Sequence, residues 1–466
     1  MDASFLHIED AMHPMHIGGV SIFEGPAPKF DAMTEMVADK LPLVPRYRQH
    51  VRFVPLALGR PVWVDDPHFR LPYHLRHSAL PAPGDEQQLR NTAARIFAQH
   101  LDRSKPLWEI WMLEGLSKGR WALLSKVHHC MVDGVSATDL MTVMFEGPGA
   151  GADDWNPAPE PGTVELLART LTHRAIDPAE QLRTVRAALR APRRSLRQVR
   201  EVIGAMSSAA RVMRPLERSS LTGPVGPHRT WSWATARIAE VKEVRGALGG
   251  TVNDVVLTAV AGGLRELLES RGERTEGRIV RALVPVSIRR PNEHGTYNNR
   301  VSAMFADLPV GVSEPALRLA AVRRQMDDLK DARQAVAGDV LTSLSGFAPP
   351  MLLALGARLG ARSPSLGVQT GVTNVPGPQQ PLRTLGRRLL ESYPYVPVIG
   401  NVRISIAVFS YDGGLYFGVS GDYDSASDVD VLTRGVERSM AELLALARPR
   451  RRAARTARAR AGQRAS

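Results

Sequence analysis

The feature that most constrains this chain is a seven-residue run at 128–134, HHCMVDG, which has the form HHxxxDG. Residues 121–127 before it (WALLSKV) are typical of a strand, and residues 135–145 after it (VSATDLMTVMF) are typical of an apolar helix. The motif therefore occupies a strand-to-helix turn, closed by Asp133 and Gly134. Turns of this kind hold side chains at pockets.

The two adjacent histidines suit acid–base chemistry. Neighbouring side chains on an extended segment point to opposite faces, so His128 and His129 cannot both reach one substrate. An imidazole that titrates near neutrality can take a proton from an alcohol or an amine and pass it to a leaving group, as acyl transfer requires. We therefore expect one histidine to be catalytic and Asp133 to fix the geometry of the turn.

Two other interpretations of this pair stay open from the residues alone. A histidine beside an Asp-Gly turn is often a hydrogen-bonded core residue. A metal site would use His128 or His129 together with Asp133, but no third His, Cys or Glu stands nearby at a spacing typical of ligands. We therefore predict no metal.

Several further blocks accompany the motif along the chain. They are residues 14–26 (PMHIGGVSIFEGP), Pro106-Leu107-Trp108, residues 251–257 (TVNDVVL), residues 284–289 (VPVSIR) leading to 298–302 (NNRVS), and residues 373–378 (TNVPGP). In this order they resemble the bacterial wax ester synthase/diacylglycerol acyltransferase family, within the CoA-dependent acyltransferase superfamily that is marked by HHxxxDG. The resemblance extends from the N-terminus to about residue 424.

The resemblance implies an α/β fold. Two lobes similar to chloramphenicol acetyltransferase would face each other across a tunnel, joined by a helical crossover linker. The sequence divides accordingly into an N-terminal lobe (1–146), a linker with basic amphipathic helices (147–226), a C-terminal lobe (227–447) and a disordered arginine-rich tail (448–466).

The resemblance also implies roles for the motif residues. His129 would be the general base, with His128 beside it, and the backbone N–H of Gly134 would help to bind the developing oxyanion. Asp133 would shape the turn through an ion pair, for which Arg289 is the first candidate partner and Arg300 the second.

Residues of the second lobe would shape the tunnel and orient the reactants. These are Asn253, Asp254, Thr373, Asn374, Pro376 and Gly377. A structural interpretation stays open for all of them, because Thr251 is a candidate N-cap for a helix over 251–270 and a Pro-Gly pair forms rigid turns. Pro106-Leu107-Trp108 is expected to pack beneath the site rather than to contact substrate.

Composition narrows the class of protein. At 466 residues, with 44% hydrophobic and 23% charged residues, the chain has the profile of a globular protein with two lobes.

The single cysteine of the chain, Cys130, allows no internal disulfide and favours a reducing, cytoplasmic setting. We interpret Cys130 as a small half-buried thiol and not as a nucleophile, since the resembled family transfers acyl groups directly. No apolar stretch approaches the roughly 20 residues that span a bilayer.

The net charge of +13 is concentrated in two segments. Residues 448–464 carry eight arginines and no acid, residues 163–218 carry twelve arginines and five acids, and the rest is close to neutral. Residues 193–213 have the pattern of a basic amphipathic helix, either packed on a lobe or lying on a membrane surface. No nucleic-acid-binding signature accompanies the charge, so anionic lipid or CoA phosphates are the expected partners.

Local patterns predict several elements. Runs at 107–115 and 120–128 predict a hairpin, residues 278–288 predict a strand, and runs at 403–411 and 415–420 predict a second hairpin across Asp412-Gly413-Gly414. Residues 147–162 (GPGAGADDWNPAPEPG) predict a linker that separates the lobes, and the second lobe is expected to begin near Trp231.

By resemblance, the chain esterifies diacylglycerol with acyl-CoA to triacylglycerol, and fatty alcohols to wax esters as a second activity. Acyl-CoA is then a co-substrate, and no cofactor is expected. The predicted location is cytoplasmic, peripheral at the inner face of the plasma membrane and on lipid droplets. Two alternatives remain: a condensation-type enzyme with a carrier-bound acyl donor, and a non-catalytic coat protein of lipid granules.

Overall fold

Two mixed β-sheets of six strands each form the framework of the computed structural model. It describes residues 3–55, 59, 61–131, 140–141, 143–151, 154–168, 216–287, 301–336 and 367–464. The first sheet has the order β11-β12-β1-β6-β5-β4 and the second the order β7-β14-β13-β10-β8-β9, while β2 and β3 form a separate pair. The predicted α/β fold with two lobes is confirmed.

The described part of the chain contains both strands and helices. The strands are β1 (His16–Phe23), β2 (Gln49–Arg52), β3 (Val62–Asp65), β4 (Leu75–Ala79), β5 (Trp108–Glu114), β6 (Trp121–His128), β7 (Arg229–Arg237), β8 (Val280–Ser287), β9 (Val301–Leu308), β10 (Thr370–Pro376), β11 (Arg383–Thr384), β12 (Arg387–Tyr395), β13 (Ile404–Tyr411) and β14 (Gly414–Asp422). The helices are α1 (Ala3–Ile8), α2 (Phe30–Lys40), α3 (Leu71–His74), α4 (Glu86–Ala98), α5 (Ile238–Leu248), α6 (Val252–Ser270), α7 (Pro315–Val336) and α8 (Val429–Arg464).

Both predicted hairpins and the predicted helix are confirmed. Strands β5 and β6 pair antiparallel, and so do β13 and β14. The second hairpin closes through Asp412 and Gly413, whose φ angles of 43° and 75° are those that a two-residue hairpin turn requires. Thr251 caps α6 by accepting the backbone N–H of Asp254, while the Asp254 side chain accepts that of Thr251. The predicted strand over 278–288 is β8.

The second lobe encloses its own core. Helix α6 contributes apolar residues around most of its circumference, and it packs against α8, whose first half is amphipathic. No single described helix is long and apolar enough to cross a membrane, whereas α5 and α6 taken together, with a 100° bend between them, reach the necessary length and composition.

Strand β12 crosses from one lobe to the other. It lies in sequence between β10 and β13 of the second sheet, yet it pairs antiparallel with β1 of the first sheet. The C-terminal lobe predicted as one block, 227–447, is therefore interrupted, since β11 and β12 complete the first sheet. Pairing between such distant strands leaves no mark in local sequence.

Two glycines of β1 permit this close pairing. A Cβ at Gly18 would lie 1.8 Å from the carbonyl oxygen of Ser125 on β6, and one at Gly19 would lie 2.6 Å from that of Tyr393 on β12. Any side chain at these positions would push the neighbouring strands apart. The Gly-Gly pair in PMHIGGV therefore has a packing reason.

Aromatic rings hold β12 to both lobes. Tyr393 stacks on Trp233 of β7 with ring centroids 4.5 Å apart, and Tyr395 stacks on Phe97 of α4 at 3.9 Å. The guanidinium of Arg90 lies 4.1 Å from the centre of the Trp233 ring. Stacked aromatic pairs each contribute about 0.5–1.5 kcal/mol beyond the area they bury, so this cluster helps to hold the two lobes together.

The two segments predicted to lack regular structure differ in outcome. The tail is helical through Arg464 as part of α8, so the prediction of disorder was wrong. Alanine and arginine are strong helix formers, and the tail extends a helix that begins at Val429 in the second lobe. The described part of the linker lies against the first lobe, where Glu160 pairs with Arg52 at 3.1 Å. Residues 169–215, which include the predicted basic helix over 193–213, lie outside the described part.

We expect Gly418→Ala to destabilise the protein through the contact between the lobes. A Cβ at Gly418 of β14 would lie 1.7 Å from the carbonyl oxygen of Pro394 on β12, and overpacking of this kind costs typically about 1–3 kcal/mol. Gly246→Ala is the matched control, because a Cβ there meets no atom within 4 Å and a helical glycine gains roughly 0.5–1 kcal/mol from the change. Melting temperatures of the two variants should move in opposite directions; equal shifts would contradict the close approach of β12 to β14.

Candidate active site

The two histidines of the motif lie on different structural elements. His128 is the last residue of β6 and is fully buried, whereas His129 begins a 3-10 turn, His129–Met131, and is partly exposed. The sequence argument placed both on an extended segment, which is wrong for His129. The separation of the two imidazoles holds nevertheless, because the chain turns directly after the strand.

The ring of His128 is held from both sides. Its Nδ1 accepts a hydrogen bond from the backbone N–H of Cys130, 3.1 Å away, and its Nε2 lies 3.5 Å from Oε2 of Glu9. Because Nδ1 is an acceptor here, the neutral ring carries its proton on Nε2, toward the carboxylate. The imidazole of His128 therefore has a structural role, which is to hold the turn.

Glu9 is a buried carboxylate with several partners. Its Oε2 accepts from Nε of Arg103 at 2.7 Å, and its Oε1 accepts from the backbone N–H of Met15 at 3.1 Å. Burial raises the pKa of this carboxyl, but the contacts with His128, Met15 and Arg103 outweigh burial and lower the pKa to about 2. A negative charge is thus fixed directly beneath the motif.

His129 is fixed by its backbone and by its ring. Its backbone N–H donates to the carbonyl oxygen of Met15 at 2.8 Å, which extends the pairing between β1 and β6 by one bond. Its imidazole stacks on the ring of Phe5 from α1, with centroids 3.8 Å apart and an angle of 22° between the planes. The second histidine of the motif is therefore presented in a defined orientation.

Further ionisable residues are buried below the pair. Lys126, two residues before His128 on β6, donates to the carbonyl oxygen of Gln99 at 2.7 Å and lies 3.7 Å from Glu109. Burial lowers the pKa of Lys126 to about 8. His16 is opposite His128 in the strand pairing, and burial, together with the nearby charge of Lys126, lowers the pKa of His16 well below its ordinary value. His16 is therefore neutral.

Two of the predicted tunnel residues are brought together. The side-chain amide of Asn374 on β10 donates to Oδ1 of Asn253 on α6 at 3.3 Å, and both side chains are partly exposed. Asp254 is buried and its Oδ2 accepts the backbone N–H of Thr251 at 2.7 Å. A helix cap accounts for Asp254, whereas Asn253 and Asn374 form an accessible amide pair.

The segment predicted as a rigid loop at 373–378 begins as a strand. Thr373 and Pro376 belong to β10, which runs parallel to β13, because its backbone groups are paired there from residue 371 onward. Gly377 follows the strand, and its N–H donates to the hydroxyl of Ser410 at 3.2 Å. The Pro-Gly turn is thus fixed against the neighbouring strand.

Other predicted residues fall into two groups. Leu107 and Trp108 are fully buried, the indole of Trp108 donates to the carbonyl oxygen of Tyr47 at 2.8 Å, and the carbonyl of Leu107 accepts the N–H of His128, so the expected packing role is confirmed. Cys130 is fully rather than half buried. Asp133, Gly134, Arg289 and Arg300 lie outside the described residues, and their predicted roles stay predictions.

A metal site receives no support from the part of the chain that the structure describes. There, no three His, Cys, Asp or Glu side chains lie close enough together to hold an ion.

Sequence reasoning missed Phe5, Glu9, Met15 and Arg103. The block at 14–26 placed the N-terminal segment in the family pattern, but no local pattern indicates that a phenylalanine and a glutamate upstream of it contact residues 128 and 129. Only the pairing of β1 with β6 brings them there.

Family models and related proteins match nearly the whole chain. Residues 1–256 match the wax ester synthase/diacylglycerol acyltransferase catalytic domain, and residues 297–444 match the WS/DGAT C-terminal domain. A probable diacylglycerol O-acyltransferase of Mycobacterium tuberculosis is 38% identical over 453 residues, which is 97% of this chain and 96% of that protein. A second one from the same species is 31% identical over 95% of this chain and 97% of its own length.

Solved structures share the fold. The wax ester synthase/diacylglycerol acyltransferase from Marinobacter aquaeolei superimposes with a TM-score of 0.68 at 24% identity, covering 95% of this chain and 97% of that one. The first condensation domain of the calcium-dependent antibiotic synthetase superimposes with a TM-score of 0.56 at 19% identity, covering 96% and 94%. The chain thus shares the mixed α/β fold with two lobes of these two structures. This chain belongs to the wax ester synthase/diacylglycerol acyltransferase family.

We expect Glu9 to make stability depend on pH in the acid range. Its pKa of about 2, against an ordinary 4.5, means that the ionised carboxylate stabilises the fold above about pH 4.5 and that this contribution, up to about 3 kcal/mol, is lost as the pH falls toward 2. The difference in unfolding free energy between wild type and Glu9→Gln should therefore shrink from about pH 4.5 downward in urea titrations. Glu114→Gln, which removes a carboxylate from a surface pair with His77, is the control; a difference for Glu9→Gln that stays constant with pH would contradict the assignment.

Proposed function

We propose that this protein transfers the acyl group of acyl-CoA to the free hydroxyl of diacylglycerol and so forms triacylglycerol, with long-chain alcohols as second acceptors that give wax esters. The observation that carries this proposal is membership of the family across both lobes, with the HHxxxDG motif intact and its second histidine held on a rigid turn.

The geometry favours His129 as the general base. A base must present a ring nitrogen to the hydroxyl of the acceptor. His128 is fully buried and its Nδ1 already accepts the N–H of Cys130, whereas His129 is partly exposed. The structure thus supports the choice between the two imidazoles that the family resemblance implies.

The proposed reaction is a direct transfer. His129 takes the proton of the acceptor hydroxyl while that oxygen attacks the thioester carbonyl. The C–S bond then breaks, the ester is released, and the proton passes from His129 to the sulfur, so that CoA leaves as a thiol. The mechanism contains no step for Cys130, whose side chain is 1% exposed, and it needs no resident cofactor because acyl-CoA is itself a substrate.

Several contributions of other residues belong to the same proposal. The backbone N–H of Gly134 would donate to the developing oxyanion, and Asp133 would hold the turn through an ion pair with Arg289 or Arg300. The amide pair of Asn253 and Asn374, joined at 3.3 Å, would orient the reactants from the second lobe.

We also propose that the protein acts at an anionic membrane or lipid-droplet surface, peripherally and on the cytoplasmic side. Diacylglycerol is insoluble in water, so the enzyme must meet it at such a surface. Helix α8 supports this, because it continues through Arg464 and its final segment, 448–464, carries eight arginines and no acid. Each basic side chain near an anionic leaflet is worth about 1 kcal/mol, screened beyond about 8 Å at physiological salt.

We expect His129→Ala to lower the turnover of acyl transfer by about 10²- to 10⁴-fold, since that is the usual contribution of a general base. The assay uses radiolabelled acyl-CoA with diacylglycerol, a fatty alcohol and an amine as separate acceptors. His77→Ala is the matched control, since His77 lies in a surface pair with Glu114. Near-normal turnover in His129→Ala would refute the proposed base, transfer to amines alone would favour a condensation-type enzyme, and no transfer to any acceptor would favour a coat protein.

We expect the arginines of α8 to determine vesicle binding but not chemistry. A variant with all eight tail arginines replaced by glutamine keeps the helix length, because glutamine is a good helix former, and removes the charge. In co-sedimentation with phosphatidylglycerol vesicles, the wild type should bind in a salt-sensitive way and the variant should bind weakly, while turnover on detergent-dispersed diacylglycerol stays the same. Equal binding by both proteins would exclude the tail as the anchor.

A further inference from the structure

The N-terminal helix α1 packs directly on the turn that carries His129. Phe5 covers one face of the imidazole, with 3.8 Å between the ring centroids and 22° between the ring planes. A stacked ring restricts rotation of the imidazole about its side-chain torsions, and such pairs contribute favourably beyond simple burial. Phe5 is thus in a position to fix the direction in which the ring nitrogens of His129 point.

Glu9 holds the backbone on both sides of His129. Its Oε1 accepts the N–H of Met15, and the carbonyl of Met15 accepts the N–H of His129 at 2.8 Å. Its Oε2 lies 3.5 Å from Nε2 of His128, whose Nδ1 accepts the N–H of Cys130. The Glu9 carboxylate is thus linked to two backbone N–H groups of the turn: to that of residue 129 through Met15, and to that of residue 130 through His128.

Arg103 joins these two parts into one unit. Its Nε donates to Oε2 of Glu9 at 2.7 Å, and its second guanidinium nitrogen donates to the carbonyl oxygen of Leu6 in α1 at 2.6 Å. The helix that carries Phe5 is therefore fastened to the carboxylate that holds the turn. Displacing either part would disturb both the ring and the backbone of His129.

We propose that Phe5 and Glu9 are positioning residues for His129, Phe5 through its ring and Glu9 through the backbone of the turn. This inference rests on the proposed function, in which His129 is the base. Neither residue needs to contact substrate. A misplacement of a reacting group by about 1 Å can cost about 10²-fold in rate, so both residues act on turnover rather than on substrate binding.

The first experiment compares Phe5→Leu with Phe5→Tyr. Leucine keeps the apolar bulk and removes the stacked ring, so we expect kcat to fall about tenfold or more, with KM for both substrates within about twofold of wild type. Tyrosine keeps the ring and should restore most of the turnover. Phe53→Leu is the control. The ring of Phe53 faces that of His7, which like Phe5 belongs to α1, with 6.0 Å between the ring centroids. This substitution should leave kcat unchanged.

The second experiment replaces Glu9 by glutamine, which keeps the shape of the side chain and removes its charge. Facing Arg103, the amide can satisfy only part of the bonds that the carboxylate makes, so kcat should again fall with little change in KM. Glu114→Gln, in the surface pair with His77, is the matched control and should behave as wild type. Melting temperatures are measured for all variants, so that a loss of turnover in a folded protein is recognised as such.

A third measurement does not depend on catalysis. The rate at which diethyl pyrocarbonate modifies the imidazole of His129, followed by mass spectrometry of the peptide, should rise in Phe5→Leu and not in Phe5→Tyr. Wild-type turnover in Phe5→Leu and Glu9→Gln, or an unchanged modification rate in Phe5→Leu, would overturn the inference. A wild-type protein without acyl transfer would overturn the proposed function instead, and the modification rates would still decide whether Phe5 fixes the ring.

Discussion

The pairing of β12 with β1 is the contact on which the rest of the structure depends. The chain leaves the second sheet after β10, adds β12 to the first sheet and returns as β13. The first sheet is therefore incomplete without residues of the second lobe, and backbone hydrogen bonds join the lobes. The stacked rings of Tyr393 and Tyr395 then bury the junction, while the glycines of β1 and β14 allow the strands to approach.

Strand β1 connects this junction to the motif. It pairs with β12 on one side and with β6 on the other, and β6 ends in His128. Met15, directly before β1, bonds to His129, and Glu9 bonds to Met15. Burying the charges of Glu9 and Lys126 at this place requires partners, since an unpaired buried charge is costly. Arg103, the N–H of Met15 and the carbonyl of Gln99 supply them, which makes the region beneath the motif rigid.

The sequence was sufficient for features that depend on neighbours along the chain. Both hairpins, the helix capped by Thr251, the buried Leu107 and Trp108, and the family itself followed from local patterns and from the order of the blocks. It was insufficient for the crossing of β12, whose residues (RRLLESYPY) lack a clean alternation, and for the tail, where charge suggested disorder although arginine and alanine favour a helix. At 373–376, pairing with β13 outweighed the loop character of the Asn and Pro residues.

By itself, the sequence determined the chemistry of the site: two adjacent histidines before an Asp-Gly turn, in a chain whose blocks have the order of one acyltransferase family. Only the tertiary structure decided which imidazole is buried and which is presented, and which residues hold them. His128 is enclosed because β1 and Glu9 cover it, and His129 is oriented because Phe5 lies against it. These contacts join residues more than a hundred positions apart, and their existence depends on strand pairing across the sheet, which no local pattern of side chains encodes.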